Sequence, residues 1–307
     1  MFCSRVARVL TVPGSSPSRQ EVTDECRIPV RDQRANPTQR RASHPIVTSF
    51  TKVATLGLLV LGTALGTLVA APIPVRFAEG VAHGFLLLRS LDGAVLATGD
   101  LLQIARGGEV EKRMVFHFKD SSVFEESVVF TEQGVYTMRS YRLLQRGPMF
   151  TEDIEISLER ATGKYRVKTK ARKDGREKTL EGTLELPPDV YNGLILTVVK
   201  DLPKGASATV HYVAFTPTPR LIQLELAPAG EQKVLVGLLP KTAVHYVLKP
   251  RLGIWLNLFA TLLGRVPPDE HVWIIPDEVP AFVRFEGPLY PTGPVWRIEL
   301  TSPRWPE

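Results

Sequence analysis

From Lys164 to Arg172 every second side chain is a cation, and the residues between them, Tyr165, Val167, Thr169 and Ala171, carry no charge. That period of two fits a strand with one solvated and one buried face, and a helix cannot keep it. Neighbouring segments repeat the pattern. Ile154, Ile156 and Leu158 alternate with Asp153, Glu155, Ser157 and Glu159, and Leu180, Gly182, Leu184 and Leu186 hold one phase of the next segment. A turn around Ala161–Thr162 sets the basic strand beside Glu159, Glu155 and Asp153. A two-residue turn at Asp174–Gly175 pairs Arg172 with Glu177, Lys168 with Glu181 and Lys164 with Glu185. Opposite charges facing across strands contribute about 0.2–1 kcal/mol each, and a slip of one residue would turn the apolar set outward. The cations therefore read as a solvated face between two acidic neighbours, not as a polyanion site.

Turn signals recur along the first half of this body: Asp92–Gly93, Arg106–Gly107–Gly108, Lys119–Asp120–Ser121, Glu132–Gln133–Gly134, Arg146–Gly147–Pro148, Thr162–Gly163 and Asp174–Gly175. They predict a run of antiparallel hairpins from about Ala82 to Glu185. Pro187–Pro188–Asp189 then opens a predicted helix through Val190, Leu194, Leu196, Val198 and Val199. Strands are expected again at Ala208–Phe215, Arg220–Ala227, Gln232–Leu239 and Lys241–Leu248, and at His271–Ile275, Ala281–Glu286 and Val295–Ser302. Gly253–Gly264 reads as a second short apolar helix. The fold class is mainly β: one curved antiparallel sheet or incomplete β-barrel with one or two covering helices.

Ahead of this body stand nineteen residues without a charge, Val53–Ala71. Lys52 and the pair Arg40–Arg41 precede them, and small residues close them. Two outcomes fit: a secretory signal peptide cut after Gly66 or Ala71, or an uncleaved N-terminal anchor long enough to span a bilayer. Gly62 and Gly66 form a weak G-x-x-x-G helix-pairing pattern. Residues 1–46, with eight arginines, four acids and no apolar period, read as a disordered preface. The division is then 1–46, a leader over 47–71, and a single exported domain over 72–307, placed in the periplasm or cell envelope. Of the formal charge of +6, the preface holds +4 and Lys52 one. The body carries 29 basic and 28 acidic side chains, so its charge gives no support for nucleic-acid binding, and no nucleic-acid partner is expected. Cys3 and Cys26 both lie in the preface, leaving a body with no thiol chemistry.

Recognisable catalytic motifs are missing: no G-x-S-x-G, no phosphate loop, no G-x-G-x-x-G, and no metal-binding histidine spacing. No cofactor is expected. Val-His-Tyr-Val occurs at 210–213 and 244–247, so His211 and His245 would share a face if their strands were neighbours. His271, with Asp269 and Glu270 beside it to orient it, is the weak candidate for a general base. Trp255, Phe259 and Trp273 belong to an aromatic-rich C-terminal third and would line an apolar site together with the two histidines. Glu125–Glu126 and Glu152–Asp153 are adjacent in sequence, so each pair splits between two strand faces and makes no acid–base couple by itself.

The stretches GREKTLEGTLELPPDVYNG (175–193) and PPDEHVWIIPDEVPAFVRFEGPLYPTGPVWRIEL (267–300) resemble an uncharacterised family of exported bacterial β-rich proteins, a domain of unknown function. The likeness covers most of residues 76–306 and brings no assigned activity or site residue. More loosely, the chain is similar to envelope half-barrel proteins that shelter acyl chains against a helix. The expected function is a non-enzymatic envelope protein binding an apolar or lipid-like molecule in the concave face of its sheet. The alternatives are a structural or interaction module tethered to the membrane through Val53–Ala71, and a hydrolase built on His271 or on the Val-His-Tyr-Val pair. The length of the preface predicts a translation start near Val47 or Val53. Peptides containing Cys26 or Arg31 in mass spectra of the native precursor would reject that start.

Overall fold

The computed structural model describes residues 70–301, except 217, 237–238, 252–266, 278 and 291–292. Fourteen strands and one helix are found among these residues. The first meander comprises β1 (Ala82–Ser90), β2 (Val95–Arg106), β3 (Glu109–Phe118), β4 (Val123–Thr131), β5 (Thr137–Arg146), β6 (Glu152–Glu159), β7 (Lys164–Ala171) and β8 (Glu177–Thr183). The helix α1 (Ile195–Asp201) follows. The second meander comprises β9 (Ala208–Thr216), β10 (Thr218–Val236), β11 (Leu239–Arg251), β12 (Glu270–Ile275), β13 (Ala281–Pro288) and β14 (Val295–Thr301). All seven predicted turns fall between consecutive strands of the first meander.

One antiparallel sheet holds all fourteen strands, in the order β8-β7-β6-β5-β4-β3-β2-β1-β14-β13-β12-β11-β10-β9. Pairing of β1 with β14, from Phe85↔Thr301 to Ser90↔Trp296, joins the two meanders. The sheet is not closed by a strand ladder, because β8 and β9 are its two edges. The edges are nevertheless near each other. Leu184 still donates its N–H to the Gly163 carbonyl beside β8, and Val190 already makes a parallel bridge to His211 of β9. Six residues of extended chain span at most about 20 Å, so the sheet is rolled into an incomplete barrel.

Residues 189–192 cover the open edge of β9. The His211 N–H donates to the Asp189 carbonyl and the Tyr191 N–H to the His211 carbonyl, both at 2.9 Å. The Asn192 side chain then donates to the Val213 carbonyl at 2.9 Å and accepts the Val213 N–H at 2.8 Å, a side-chain amide standing in for a strand. This contact moves the predicted helix start. Asp189 serves the edge instead of capping a helix, and α1 begins only at Ile195. Gly193, at φ +71°, makes the bend between the two.

The helix lies in the concave face. Leu194, Val198 and Val199 are buried in the same apolar cluster as Phe116, Phe124 and Leu158 of the first meander and Leu226, Leu248, Val272 and Ile298 of the second. Burying a side chain of this size contributes about 1.5–3 kcal/mol, so α1 and the strands hold one another. One covering helix is therefore present among the described residues, and the second expected one, Gly253–Gly264, falls wholly outside them.

Register agrees with the sequence on one side of β7 and shifts on the other. Glu155 faces Lys168 and Asp153 faces Lys170, as the Ala161–Thr162 turn requires. Between β7 and β8, however, Lys170 faces Glu177 and Arg166 faces Glu181, two residues from the expected pairing. The turn is wider than two residues: Ala171 pairs with Arg176, and the Gly175 N–H reaches back to the Ala171 carbonyl. A shift of two preserves both faces and the charge matching, as the pairs Lys170–Glu177, at 2.8 Å, and Arg166–Glu181 show. Arg220–Ala227 and Gln232–Leu239, expected as two strands, fall largely within the single long β10, irregular between Pro228 and Glu231.

Gly163 and Gly175 separate conformational from steric demands. Both sit at positive φ, +65° and +67°, but a Cβ on Gly163 would overlap the Leu184 carbonyl while one on Gly175 meets open space. Gly175→Ala should cost about 1–2 kcal/mol, the usual penalty for a left-handed residue with a side chain. Gly163→Ala should lose clearly more in urea unfolding, because the backbone must also move.

Candidate functional site

Charged side chains interrupt the buried phase of two strands. In β3, Lys112 follows Val110 and precedes Met114 and Phe116, and it is buried; in β4, Glu126 stands between Phe124 and Val128. Both therefore point into the rolled sheet. From the facing wall, Glu270 of β12 shares the inward phase with Val272 and sits opposite Leu248 of β11. Tyr141 of β5 and Tyr212 of β9 complete the group.

The contacts tie this cluster to α1. Lys112 Nζ donates to Thr197 Oγ1 at 3.1 Å and to the Gly193 carbonyl at 3.5 Å. Tyr141 Oη donates to Glu126 Oε1 at 3.0 Å. Burial pushes the Glu126 carboxyl above its ordinary range, opposed by the Tyr141 hydrogen bond and the Lys112 charge. Burial and then the Glu126 charge raise Glu270 to about 7. Lys112 is lowered to about 8, first by burial and then by Lys200. Tyr141 and Tyr212 are both raised, chiefly by burial. With its carboxyl raised to about 7, Glu270 can hold a proton near neutral pH, and with Glu126 and Lys112 it offers both donors and acceptors to a polar group.

A second polar group fixes the far end of α1. Asp201 Oδ2 accepts from the Arg76 N–H at 2.8 Å and from Tyr136 Oη at 2.7 Å. Lys200 pairs with Glu79 at 2.6 Å, and Gln103 donates to Glu79 at 2.8 Å. The helix is thus clamped to the lead-in segment before β1.

The histidines take different places from one another. His211 Nδ1 lies 2.7 Å from Oδ2 of Asp189, a carboxylate only 2% exposed, at the β9 seam. His245 and His271 are brought together on the outer face of the sheet, with Nε2 and Nδ1 2.9 Å apart. Trp273 stacks on His245 with ring centres 4.5 Å apart and donates its indole N–H to Gln232 Oε1 at 2.7 Å. Burial and then His271 lower the His245 pKa. The Val-His-Tyr-Val repeats do not meet, because β10 lies between β9 and β11. Glu270 does not orient His271: neighbours on a strand point to opposite faces, so the carboxyl is inside and the imidazole outside. Asp269 is exposed. Trp255 and Phe259 lie outside the described residues.

Sequence reasoning passed over Lys112 and Tyr141, and set Glu126 aside because Glu125 beside it lies on the other face. The available signal was phase: a charge at a position whose neighbours two residues away are Phe and Val. No group of three or more His, Cys, Asp or Glu side chains suited to a metal occurs among the described residues. Depressions of about 150 and 460 Å³ are lined by residues such as Glu111, Ser140 and Arg142 in one and Glu159, Arg166 and Glu181 in the other.

No protein-family model matches the chain, and no curated protein matches it. Among solved structures it is similar to a β-barrel-like protein of a domain of unknown function, DUF1849, from Brucella abortus. The two are 9% identical, with 74% of this chain and 98% of that chain covered and a TM-score of 0.42.

The raised Glu270 pKa has a definite sign in stability. Between the unfolded carboxyl value, about 4.3, and about 7 the folded state holds the proton that the unfolded state has released, so stability falls as pH rises through this window. Glu270→Gln should remove much of that fall, gaining on the order of 1–3 kcal/mol at pH 7.5 and almost nothing at pH 4. Urea unfolding of both proteins at the two pH values measures it.

Proposed function

We propose that the protein is a non-enzymatic component of the cell envelope that holds an apolar or lipid-like molecule inside its rolled sheet, with α1 as the element that yields to it. The observation that carries this reading is the ionisable cluster of Lys112, Glu126 and Glu270 set among apolar walls beneath α1. Buried charges lower stability unless they are well paired, and replacing them with apolar residues often stabilises a fold. Their presence among apolar walls beneath α1 fits a role in meeting the polar end of a bound molecule.

Leu194, Val198 and Val199 now occupy the volume an acyl chain would take, so binding requires α1 to move. Its attachments suit such a movement. The helix has no strand pairing. It is held by apolar contacts and a few side-chain hydrogen bonds, with Gly193 at positive φ before its first turn.

Native mass spectrometry and solvent extraction of the purified full chain should reveal a co-purifying apolar molecule. Asp201→Asn, which weakens the clamp on α1, should raise uptake of an environment-sensitive fatty-acid probe. The reading fails if neither form yields an extractable molecule nor takes up the probe.

A further inference from the structure

We infer that one rim of the rolled sheet docks on a lipid bilayer, burying Val81, Leu235, Leu239 and Val279 in its interface. These four are the most exposed large apolar side chains among the described residues, at 75%, 72%, 65% and 80%. Antiparallel pairing places them together along one rim. Val81 precedes β1, Leu235 and Leu239 flank the β10–β11 turn, and Val279 lies in the β12–β13 loop. The next most exposed, Leu91 at 53%, sits in the β1–β2 turn on the opposite rim.

The β10–β11 hairpin projects at this rim. Its pairing continues out to Val236↔Leu239, whereas β9 pairs with β10 only up to Leu226 and β12 pairs with β11 only from Val244. Beyond those limits each strand has only the other as a ladder partner, a marginal arrangement in water. Lys241 pairs with Asp277 at 2.7 Å, tying this arm to the loop that carries Val279. Lys233, on the same arm, donates to Thr242 at 2.7 Å. Cationic stems just behind apolar tips suit the boundary between headgroups and acyl chains.

A bilayer fits better than a protein partner for two reasons. The apolar side chains stand on three separate segments, which fluid acyl chains can surround and a folded partner could match only with separate pockets. The longest uncharged run of the polypeptide, residues 53–75, also ends at this rim: Ile73 is buried, and the Val75 N–H donates to the Gly134 carbonyl in the β4–β5 turn. The inference is independent of whether the interior takes a ligand.

Because Val53–Ala71 can itself partition into lipid, bulk vesicle binding decides nothing, and depth at each rim must be measured. Tryptophan is introduced into the full chain as Leu239→Trp, Val279→Trp or Leu91→Trp. Emission is compared with the parent in phosphatidylethanolamine–phosphatidylglycerol vesicles bearing brominated acyl chains. Docking predicts a blue shift and bromine-dependent loss of the added emission for Leu239→Trp and Val279→Trp, and neither for Leu91→Trp. Equal loss at Leu91→Trp, or no loss at either rim, overturns the inference. So does a blue shift that grows with protein concentration in the absence of vesicles, which would assign the rim to a second copy of the chain.

Discussion

The pairing of β1 with β14 is the constraint on which the rest depends. It joins the first and last strands of the domain, and Arg89 of β1 bonds Glu299 of β14 at 3.2 Å across 210 positions. Glu299 also meets Arg284 of β13 at 3.2 Å, so one carboxylate ties three neighbouring strands. Without this ladder there would be two smaller meanders, each with an uncovered apolar face. With it, the inner face of β4 looks towards that of β12, and Glu126 and Glu270 come under each other's influence.

The two remaining edges are handled by different chemistry. Residues 189–192 satisfy the outer hydrogen-bonding groups of β9, partly through the Asn192 amide. The other edge, β8, carries Glu177, Lys178 and Glu181 on its exposed positions, and such charges discourage pairing with a foreign strand. The sheet thus stays open as a ladder without presenting an apolar edge.

The strands and turns were legible because period two and turn residues act locally. Local chemistry also set the faces of β6, β7 and β8, although it misjudged one turn width by two residues, an error that neither face pattern nor charge sign can detect. The helix start was not legible, since Pro187–Pro188–Asp189 has the composition of a helix cap and only the distant partner His211 makes it a strand cover. Part of the candidate site was visible in principle. Lys112 and Glu126 break the apolar phase of β3 and β4, but which wall faces them depends on how the sheet rolls. The separation of His211 from His245 has the same cause, for no local signal reveals that a third strand lies between theirs.

A ladder between the first strand and the last also imposes an order on assembly. The hairpins from β1 to β8 need only near neighbours and can form as soon as they are available. Closing β1 onto β14 must await the C-terminal end of the domain, and contacts of such long sequence separation are slow to form. During that interval β1 has one unsatisfied flank in the middle of the future sheet, where the uncharged residues Phe85 to Leu88 are followed by a single cation, Arg89. The newborn chain is therefore most vulnerable to sticking at the line that later becomes its centre.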